Sequence, residues 1–205
     1  MKLLIVGSGA REHSFAWKLF HSKRDIKLFV TNPNAGISKI SFCLDIDIND
    51  FESIKNNIII HSIDIVLVGP EIPLINGITD FIQNDIKLQH VRVIGPSQKG
   101  AMLEGSKEFA KNFMAKYNIP TASYKSFNKS TFDKGVSFIN ENSPPYVLKA
   151  DGPAAGKGVI IVKTAHEAIK NLEDMLLHSK FGKASDKVVI EEFLTGIEMS
   201  CFVLF

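Results

Sequence analysis

The stretch from Tyr146 to Val159, YVLKADGPAAGKGV, gives the clearest indication of the fold of this chain. A short apolar run ends at Lys149, a flexible loop follows, and a second β-branched run begins at Val159. The loop carries three glycines and a second lysine: Gly152, Gly156, Gly158 and Lys157. Glycine lets the backbone approach an anion closely, and ammonium and amide groups match the charge of phosphate oxygens. The stretch therefore predicts a strand–loop–strand unit that grips a polyphosphate.

The loop departs from the P-loop of many nucleotide-binding proteins. Three residues rather than four separate Gly152 from Gly156, and Gly158 rather than Ser or Thr follows Lys157. The loop also leads into a strand, so no helix N-terminus is expected to face the anion. On this stretch alone, a glycine-rich hairpin with two solvated lysines is an equally good interpretation.

The composition sets limits on partners and compartment. Hydrophobic residues make up 45% of the 205 residues and the net charge is only +2, so no nucleic-acid partner is indicated. Cys43 and Cys201 lie far apart without a CxxC pattern, which favours a reducing compartment and no zinc site. Met1 leads directly into a strand, and no apolar run is long enough to span a membrane. We therefore expect a cytoplasmic protein without a membrane partner. The run from Met199 to Phe205 has the pattern of an unfinished strand and indicates a fragment.

The first half of the chain has the pattern of an α/β fold with an open parallel sheet. Apolar runs typical of strands alternate with helical patterns. The carboxyl ends of parallel strands are where such folds bind ligands, so the loops at Gly7, Asn32, Gly69 and Gly95 should converge. The predicted strands are Lys2–Val6, Leu28–Thr31, Ile65–Val68 and Val91–Ile94, and the predicted helices are Arg11–His21, Asp50–Ile60 and Asn76–Asn84.

The first of these loops, GSGAREH, raises the possibility of a dinucleotide site. It contains GxG, but Glu12 stands where the dinucleotide fingerprint has its third glycine. A Rossmann oxidoreductase is therefore a weak alternative. An anion at the N-terminus of the following helix and a purely structural turn both remain open.

The middle of the chain, from Ser97 to Tyr117, has a helical pattern that breaks near Gly105. One apolar stripe runs along it, formed by Phe109, Ala110, Phe113, Met114 and Tyr117, and is expected to be core. Lys107 lies in a first helical turn, where the helix dipole disfavours a cation, so we expect an anionic ligand nearby. Ile119–Pro120–Thr121 has the pattern of a domain joint.

The last part of the chain predicts a second, smaller α+β unit around the opening stretch. Thr164 and Glu167 form a capping-box pattern that begins a helix. The other predicted elements are a helix at Ser130–Asn142 and strands at Val188–Phe193 and Glu198–Phe205.

Six motifs in succession resemble one family, the glycinamide ribonucleotide synthetases (phosphoribosylamine–glycine ligases) of the ATP-grasp superfamily. They are GSGAREH from Gly7, NPNAG from Asn32, GPEIPLINGITD from Gly69, LEGSKEFAK from Leu103, LKADGPAAGKGV from Leu148 and IEEFLTGIEMS from Ile190. The resemblance covers the whole chain. Because family members are about twice this length, the chain resembles their N-terminal half.

The resemblance implies three structural parts. These are an N-terminal substrate-binding α/β domain (1–120), a small ATP-grasp lid subdomain (121–193) and the start of a large ATP-grasp subdomain (194–205). It also implies two groups of site residues. The ATP group is Lys107, Lys149, Gly152, Gly156, Lys157, Gly158, Glu191, Glu192, Phe193, Leu194 and Glu198, with the backbone near Glu191 to Leu194 at adenine and Glu198 at the ribose. The substrate group, for 5-phosphoribosylamine, is Gly7, Gly9, Arg11, Glu12, His13, Asn34, Ala35, Gly36, Gly69, Pro70 and Glu71.

The implied reaction is the ATP-dependent joining of glycine to 5-phosphoribosylamine through glycyl phosphate, a step of purine biosynthesis. It needs positioning and cancellation of phosphate charge rather than a protein nucleophile. Mg²⁺, or Mn²⁺ in its place, would be the metal, and the family's metal-binding Glu and Asn fall beyond Phe205. We therefore expect the 205 residues alone to have little ligase activity and to need the missing C-terminal half.

The sequence differs from the family pattern at three positions, and two functions other than the ligase are considered. Ala10 replaces a usual glycine, Pro153 stands in place of a larger apolar residue, and Ile197 replaces an acidic residue beside Glu198. Proline removes an amide donor from the loop and stiffens it. A non-catalytic nucleotide- or anion-binding module and a related ATP-grasp carboxylase subunit are the alternative functions.

Overall fold

The computed structural model describes residues 1–154 and 156–201. They form two compact units, one from Met1 to Gly105 and a second that begins at Ser106. This division lies before the joint predicted at residues 119–121. The helix that starts at Lys107 is tied into the second unit, since the Lys107 amide donates to the Asp151 carbonyl at 3.2 Å. The boundary between the compact units therefore differs from the predicted boundary at residue 120.

The first unit is an open parallel sheet with helices between its strands. Its strands are β1 (Lys2–Val6), β2 (Lys27–Thr31), β3 (Phe42–Leu44), β4 (Ile65–Val68) and β5 (Arg92–Ile94). Its helices are α1 (Ala10–Phe20), α2 (Phe51–His61), α3 (Glu71–Ile75), α4 (Ile78–Asn84) and α5 (Gln98–Gly105), with 3₁₀ turns at Ile37–Lys39 and Ile86–Leu88. The strand order is β3-β2-β1-β4-β5, and every neighbouring pair is parallel.

The central strand β1 explains why the sheet is buried on both faces. Leu4 and Val6 belong to one core cluster with α2 and α4, while Leu3 and Ile5 belong to another with α1. A parallel strand covered on both sides must be apolar where it is buried, and the four buried residues from Leu3 to Val6, LLIV, meet that requirement.

The second unit is a four-stranded antiparallel sheet in the order β6-β9-β7-β8. Its strands are β6 (Tyr124–Asn128), β7 (Tyr146–Ala150), β8 (Val159–Val162) and β9 (Lys187–Glu192). Its helices are α6 (Lys107–Lys116), α7 (Phe132–Glu141) and α8 (Ala165–Leu176), with 3₁₀ turns at Lys129–Thr131 and Gly182–Ser185. Tyr146, Leu148 and Ile190 share a core with Ile139 of α7 and Leu172 of α8. The predicted α/β fold, a parallel sheet followed by a smaller α+β unit, is confirmed.

Alternation along β7 defines the opposite face of this second sheet. Because successive side chains point to opposite faces, Lys149 lies on the face away from Leu148 and the core helices. In the register, Lys149 stands opposite Val159, and Val147 stands opposite both Ile161 and Glu191, so all five share that face. We call this surface the lysine face.

Some predicted elements differ from the observed ones. The short strands β3 and β6 and the helix α3 are additional to the prediction, and the helix predicted from Asn76 begins at Ile78 after Gly77, whose φ is +92°. The strand predicted at Glu198–Phe205 is not present over residues 198–201, and residues 202–205 lie outside the described part.

Helix α6 buries a lysine instead of the predicted apolar stripe. Over residues 107–116, all of them described, Lys111 alone is buried. Phe109, Phe113 and Met114 are half-buried and Tyr117 is exposed, so the expectation that the stripe is core is wrong.

None of the helices within residues 1–154 and 156–201 combines the length and apolar character needed to cross a bilayer.

Candidate functional site

Three loops meet at the carboxyl edge of the parallel sheet. They follow the neighbouring strands β2, β1 and β4. Successive strands are added on one side of β1 up to β3 and on its other side from β4, and open α/β sheets bind ligands at such a reversal of strand order. Arg11 joins two of the loops, because its guanidinium donates to the Gly69 carbonyl at 2.7 Å and to the Glu71 carboxylate at 3.1 Å. Asn34 joins the third, since its amide donates to the Ser8 carbonyl at 2.8 Å. The predicted convergence is confirmed for the loops at Gly7, Asn32 and Gly69.

The fourth predicted loop, at Gly95, packs on helices α3 and α4. The Thr79 hydroxyl lies 3.5 Å from the Gly95 carbonyl, and a β-carbon added at Gly95 would lie 2.7 Å from the Leu74 side chain.

Glu12 fills the space between two of the converging loops. Its side chain is buried, and its carboxylate accepts from the Gly9 amide at 2.6 Å at the start of α1. A β-carbon added at Gly7 would lie 3.1 Å from Cδ and Cγ of Glu12 and 2.7 Å from Pro70. One added at Gly69 would lie 2.5 Å from Cδ and Cγ of Glu12 and would clash with its carboxylate. Glycine is therefore needed at positions 7 and 69, because the Glu12 side chain occupies the space beside them. Glu12 is also placed where a dinucleotide fingerprint needs a small residue for close approach.

The loop after β2 is ordered by Asn34. Its side-chain oxygen accepts from the amides of Gly36 and Ile37 at 3.0 and 3.1 Å, which begins the 3₁₀ turn. His13 of α1 lies against Gly36, where a β-carbon would be 2.7 Å from the imidazole Nε2. Ala35 is exposed at the tip of the loop. Every residue of the predicted substrate group therefore lies in these three loops or in the first turns of the helices that follow them.

In the second unit, three charged side chains meet on the lysine face. The ammonium groups of Lys149 and Lys111 lie 2.8 and 3.3 Å from the same oxygen, Glu191 Oε2. The side chains of Lys111 and Glu191 are only 8% and 5% exposed, whereas that of Lys149 is 28% exposed. Val159 and Ile161 are exposed on the same face. The face therefore offers one accessible ammonium group beside an apolar surface.

A side chain of the protein, the Asp151 carboxylate, supplies negative charge at the start of α6, where the sequence led us to expect an anionic ligand. The Asp151 carboxylate accepts from the Glu108 amide at 2.7 Å and from the Ser106 hydroxyl at 3.0 Å. The Lys107 ammonium group lies 3.5 Å from the Asp151 carbonyl. The unfavourable position of Lys107 in a first helical turn is thus offset by a side chain of the glycine loop, without a ligand.

Replacing Ser106 with alanine should therefore remove two interactions. The Ser106 hydroxyl caps α6 by accepting from the Phe109 amide at 3.1 Å, and it also donates to Asp151. We expect a loss of about 1–2 kcal/mol in the free energy of unfolding of the second unit, measured by urea denaturation. Thr164→Ala is the matched control, because the Thr164 hydroxyl likewise accepts from the Glu167 amide and donates to the Glu167 carboxylate. It should cost only about 1 kcal/mol, since both of these bonds are exposed to solvent whereas those of Ser106 are partly buried. A smaller loss for Ser106→Ala than for Thr164→Ala would contradict this account.

The glycine loop is held at both ends by backbone hydrogen bonds. The Gly152 amide donates to the Ala184 carbonyl at 3.2 Å, and the Ala150 amide donates to the Gly158 carbonyl at 2.8 Å. The Lys157 amide donates to the Ala154 carbonyl at 2.8 Å, and the Lys157 side chain is exposed. Gly156 has φ of +76° and open space around it, and Ala155 lies outside the described residues. In this conformation the amides of Gly152 and Lys157 are engaged within the protein.

The segment predicted to bind adenine, from Glu191 to Leu194, begins in strand β9 and continues past the end of that strand. Glu191 is paired with both β6 and β7, and the Glu192 carboxylate accepts from the Ser123 hydroxyl at 2.9 Å. That hydrogen bond, with a second from the Ser123 amide, lowers the pKa of Glu192 below its usual value. Phe193, Leu194 and Glu198 follow the strand and are exposed.

The structure also identifies functional candidates that the sequence analysis did not include. Lys111 forms an ion pair with the predicted site residue Glu191, and the Asp151 carbonyl accepts from the amide of the predicted site residue Lys107. Ser106 donates to Asp151 and is linked to the site through it. A signal for Lys111 exists in the sequence, since it lies one helical turn after Lys107 among the apolar residues of the stripe. In the part of the chain that is described, no three His, Cys, Asp or Glu side chains are grouped so that they could hold a metal ion.

Comparison with known proteins gives two family matches in succession. The model described as phosphoribosylglycinamide synthetase, N domain, matches residues 1–104. The model described as phosphoribosylglycinamide synthetase, ATP-grasp (A) domain, matches residues 105–205. The change from one to the other lies one residue before the division between the compact units.

Relatives named phosphoribosylamine–glycine ligase match nearly the whole chain. One from Halalkalibacterium halodurans is 43% identical over 200 residues, which is 98% of this chain and 45% of the relative. One from Neisseria meningitidis serogroup B is 44% identical over 204 residues, covering 100% of this chain and 47% of the relative. A crystal structure of the ligase from Thermotoga maritima superposes with a TM-score of 0.74 at 28% identity, covering 96% of this chain and 45% of that one. The chain thus spans about half the length of the curated relatives it matches.

Proposed function

We propose that this chain, which belongs to the phosphoribosylglycinamide synthetase family, supplies the substrate-binding part and the ATP-lid part of a phosphoribosylamine–glycine ligase. The single observation that carries the ATP assignment is the lysine face. An ammonium group that is partly exposed beside Val159 and Ile161 suits a ligand with an anionic chain and a flat apolar base.

In the proposed reaction the glycine carboxylate attacks the γ-phosphate of ATP and forms glycyl phosphate and ADP. The amine of 5-phosphoribosylamine then displaces phosphate and forms the amide of glycinamide ribonucleotide. The chain provides binding and charge rather than a nucleophile. Lys149, Lys107 and the loop from Gly152 to Gly158 hold the phosphates, and the backbone of Phe193 and Leu194 lies at adenine. Mg²⁺, when bound, neutralises phosphate charge, and we assign no ligand for it within the described residues.

The three loops of the first unit hold 5-phosphoribosylamine in this proposal. The support for this assignment is their position at the carboxyl edge of the sheet, where the strand order reverses. Arg11 is partly exposed, and its guanidinium is already oriented by Gly69 and Glu71. An oriented arginine at the start of a helix suits a sugar phosphate. The proposed compartment is the cytoplasm, where purine precursors are made.

Replacing Lys149 with alanine should weaken ATP binding by this chain at least about tenfold, because a direct charge contact with phosphate is lost. The measurement is isothermal titration of the chain with ATP and Mg²⁺. Lys163→Ala, at an exposed lysine just beyond β8, is the control and should leave the affinity unchanged. Equal ATP affinities for wild type and Lys149→Ala would contradict the assignment of Lys149 to phosphate.

A second candidate is a nucleotide-binding module without catalysis, and the observation that favours it is the lysine face, whose partly exposed Lys149 ammonium group serves binding alone equally well. The two functions differ in what a supplied second half should do. We expect ligase activity, assayed as ADP release that depends on glycine and 5-phosphoribosylamine, when the second half of a curated relative is added. ATP binding without any ADP release in that mixture would favour the module.

A further inference from the structure

We propose that Lys111 is a positioning residue that keeps Glu191 neutralised while Lys149 turns from Glu191 to a phosphate group. The proposal rests on the proposed role of Lys149 in ATP binding. In this proposal Lys111 contributes to nucleotide binding through Glu191 and Lys149, without itself contacting the nucleotide.

The two lysines are held very differently although they share one carboxylate oxygen. The Lys111 ammonium group donates to the Thr121 hydroxyl at 2.8 Å and to the Ala122 carbonyl at 3.1 Å, in addition to its ion pair with Glu191. It also lies 5.5 Å from the centre of the Tyr124 ring, within the range of a cation–π contact. Lys111 is therefore fixed from several sides.

Lys149 is the mobile member of the group. Its side chain is more than three times as exposed as that of Lys111, at 28% against 8%, and it stands at the end of β7 where the glycine loop begins. The side chain has four rotatable bonds, so the ammonium group can leave Glu191 without any movement of the strand. Lys149 is thus the cation that an arriving phosphate can recruit.

The charge balance explains why a second lysine is needed. Two ammonium groups and one carboxylate carry a net charge of +1, which suits an anionic ligand. If Glu191 had only Lys149 as a partner, phosphate binding would leave a buried carboxylate unpaired, and that state is strongly disfavoured. With Lys111 in place, Glu191 stays paired before and after the transfer, so the movement of Lys149 is less costly.

The main competing explanation is that Lys111 has only a structural role, which is to stabilise the position of α6 next to β9. A purely structural role would act on stability through the ion pair with Glu191, but it would leave the reactivity of the Lys149 amine unchanged in a folded variant. The reactivity of the Lys149 amine distinguishes the two explanations without any nucleotide. We would acetylate the whole chain briefly with an N-hydroxysuccinimide ester and measure modification of Lys149 by peptide mass spectrometry.

The positioning role predicts a specific pattern in this assay. In Lys111→Met, Lys149 becomes the sole counter-ion of Glu191, and its acetylation should slow at least about threefold. In Lys111→Arg, which keeps the charge, the rate should match the wild type. In a Glu191→Gln background, Lys111→Met should no longer change the rate. Lys111→Gln, which keeps a donor toward Thr121, replaces Lys111→Met if far-UV circular dichroism shows that the methionine variant is unfolded.

Nucleotide binding supplies the second measurement. ATP affinity should fall about tenfold in Lys111→Met, whereas affinity for adenosine, which has no phosphate, should not change. An unchanged Lys149 acetylation rate in both neutral variants, or an effect that persists with Glu191→Gln, would overturn the positioning role. Failure of the wild-type chain to bind ATP would instead count against the proposed function, and the acetylation pattern would still decide whether Lys111 controls Lys149.

Discussion

Replacing Glu191 with alanine is expected to lower the free energy of unfolding of the second unit by about 3–5 kcal/mol. The substitution leaves the ammonium group of Lys111 in a site where its side chain is only 8% exposed and its counter-ion is gone. Removing one member of a buried ion pair is far more costly than the pair itself is stabilising, because the remaining charge stays desolvated. The measurement is urea denaturation followed by far-UV circular dichroism.

Two further variants separate charge burial from other effects of the substitution. Glu192→Ala is the matched control, because the neighbouring glutamate is exposed and should matter much less. The double substitution Lys111→Met with Glu191→Leu should recover much of the loss, since no unpaired charge would remain buried. If Glu191→Ala were no more destabilising than Glu192→Ala, the three charged side chains would have no energetic importance for the fold.

The strands that the sequence predicts well are those with continuous apolar runs. Ile65–Val68 is observed with the predicted bounds, and Lys2–Val6 lies at the centre of its sheet as a fully covered parallel strand must. The strands β3 and β6 are not predicted from the sequence, and the reason is physical. Each lies at a sheet edge, β3 has only three residues, and three of the five residues of β6, YKSFN, are polar. Edge strands need less apolar sequence, so their signal is weak.

The candidate site could be predicted only where neighbouring residues in the sequence carry it. The glycine loop and Lys149 can be recognised in the sequence because their motif is contiguous. Lys149 and Glu191 lie on two strands and are 42 positions apart, and Lys111 lies on helix α6. No spacing rule connects the three residues. Burial of Lys111 also runs against the usual preference of lysine for solvent, which makes the apolar stripe of α6 misleading.

Gly69→Ala is expected to lower the free energy of unfolding of the first unit by about 2–3 kcal/mol. The new β-carbon would lie 2.5 Å from Cδ and Cγ of Glu12. Glu12 cannot move aside freely, because its side chain is buried and its carboxylate accepts from the Gly9 amide at the start of α1. The substitution should therefore strain the loop or break the hydrogen bond at the helix start, and urea denaturation of the first unit would measure the loss.

The cause of this loss can be tested by removing the obstacle. In a Glu12→Ala background the space beside Gly69 is open, so adding Gly69→Ala should cost much less than it does in the wild type, and the two substitutions should be strongly non-additive. Gly100→Ala within α5 is the matched control for the same chemical change, and it should alter stability by less than about 1 kcal/mol. An equal cost of Gly69→Ala in both backgrounds would mean that Glu12 does not require a glycine at this position. The loops proposed to hold 5-phosphoribosylamine would then owe their spacing to other contacts.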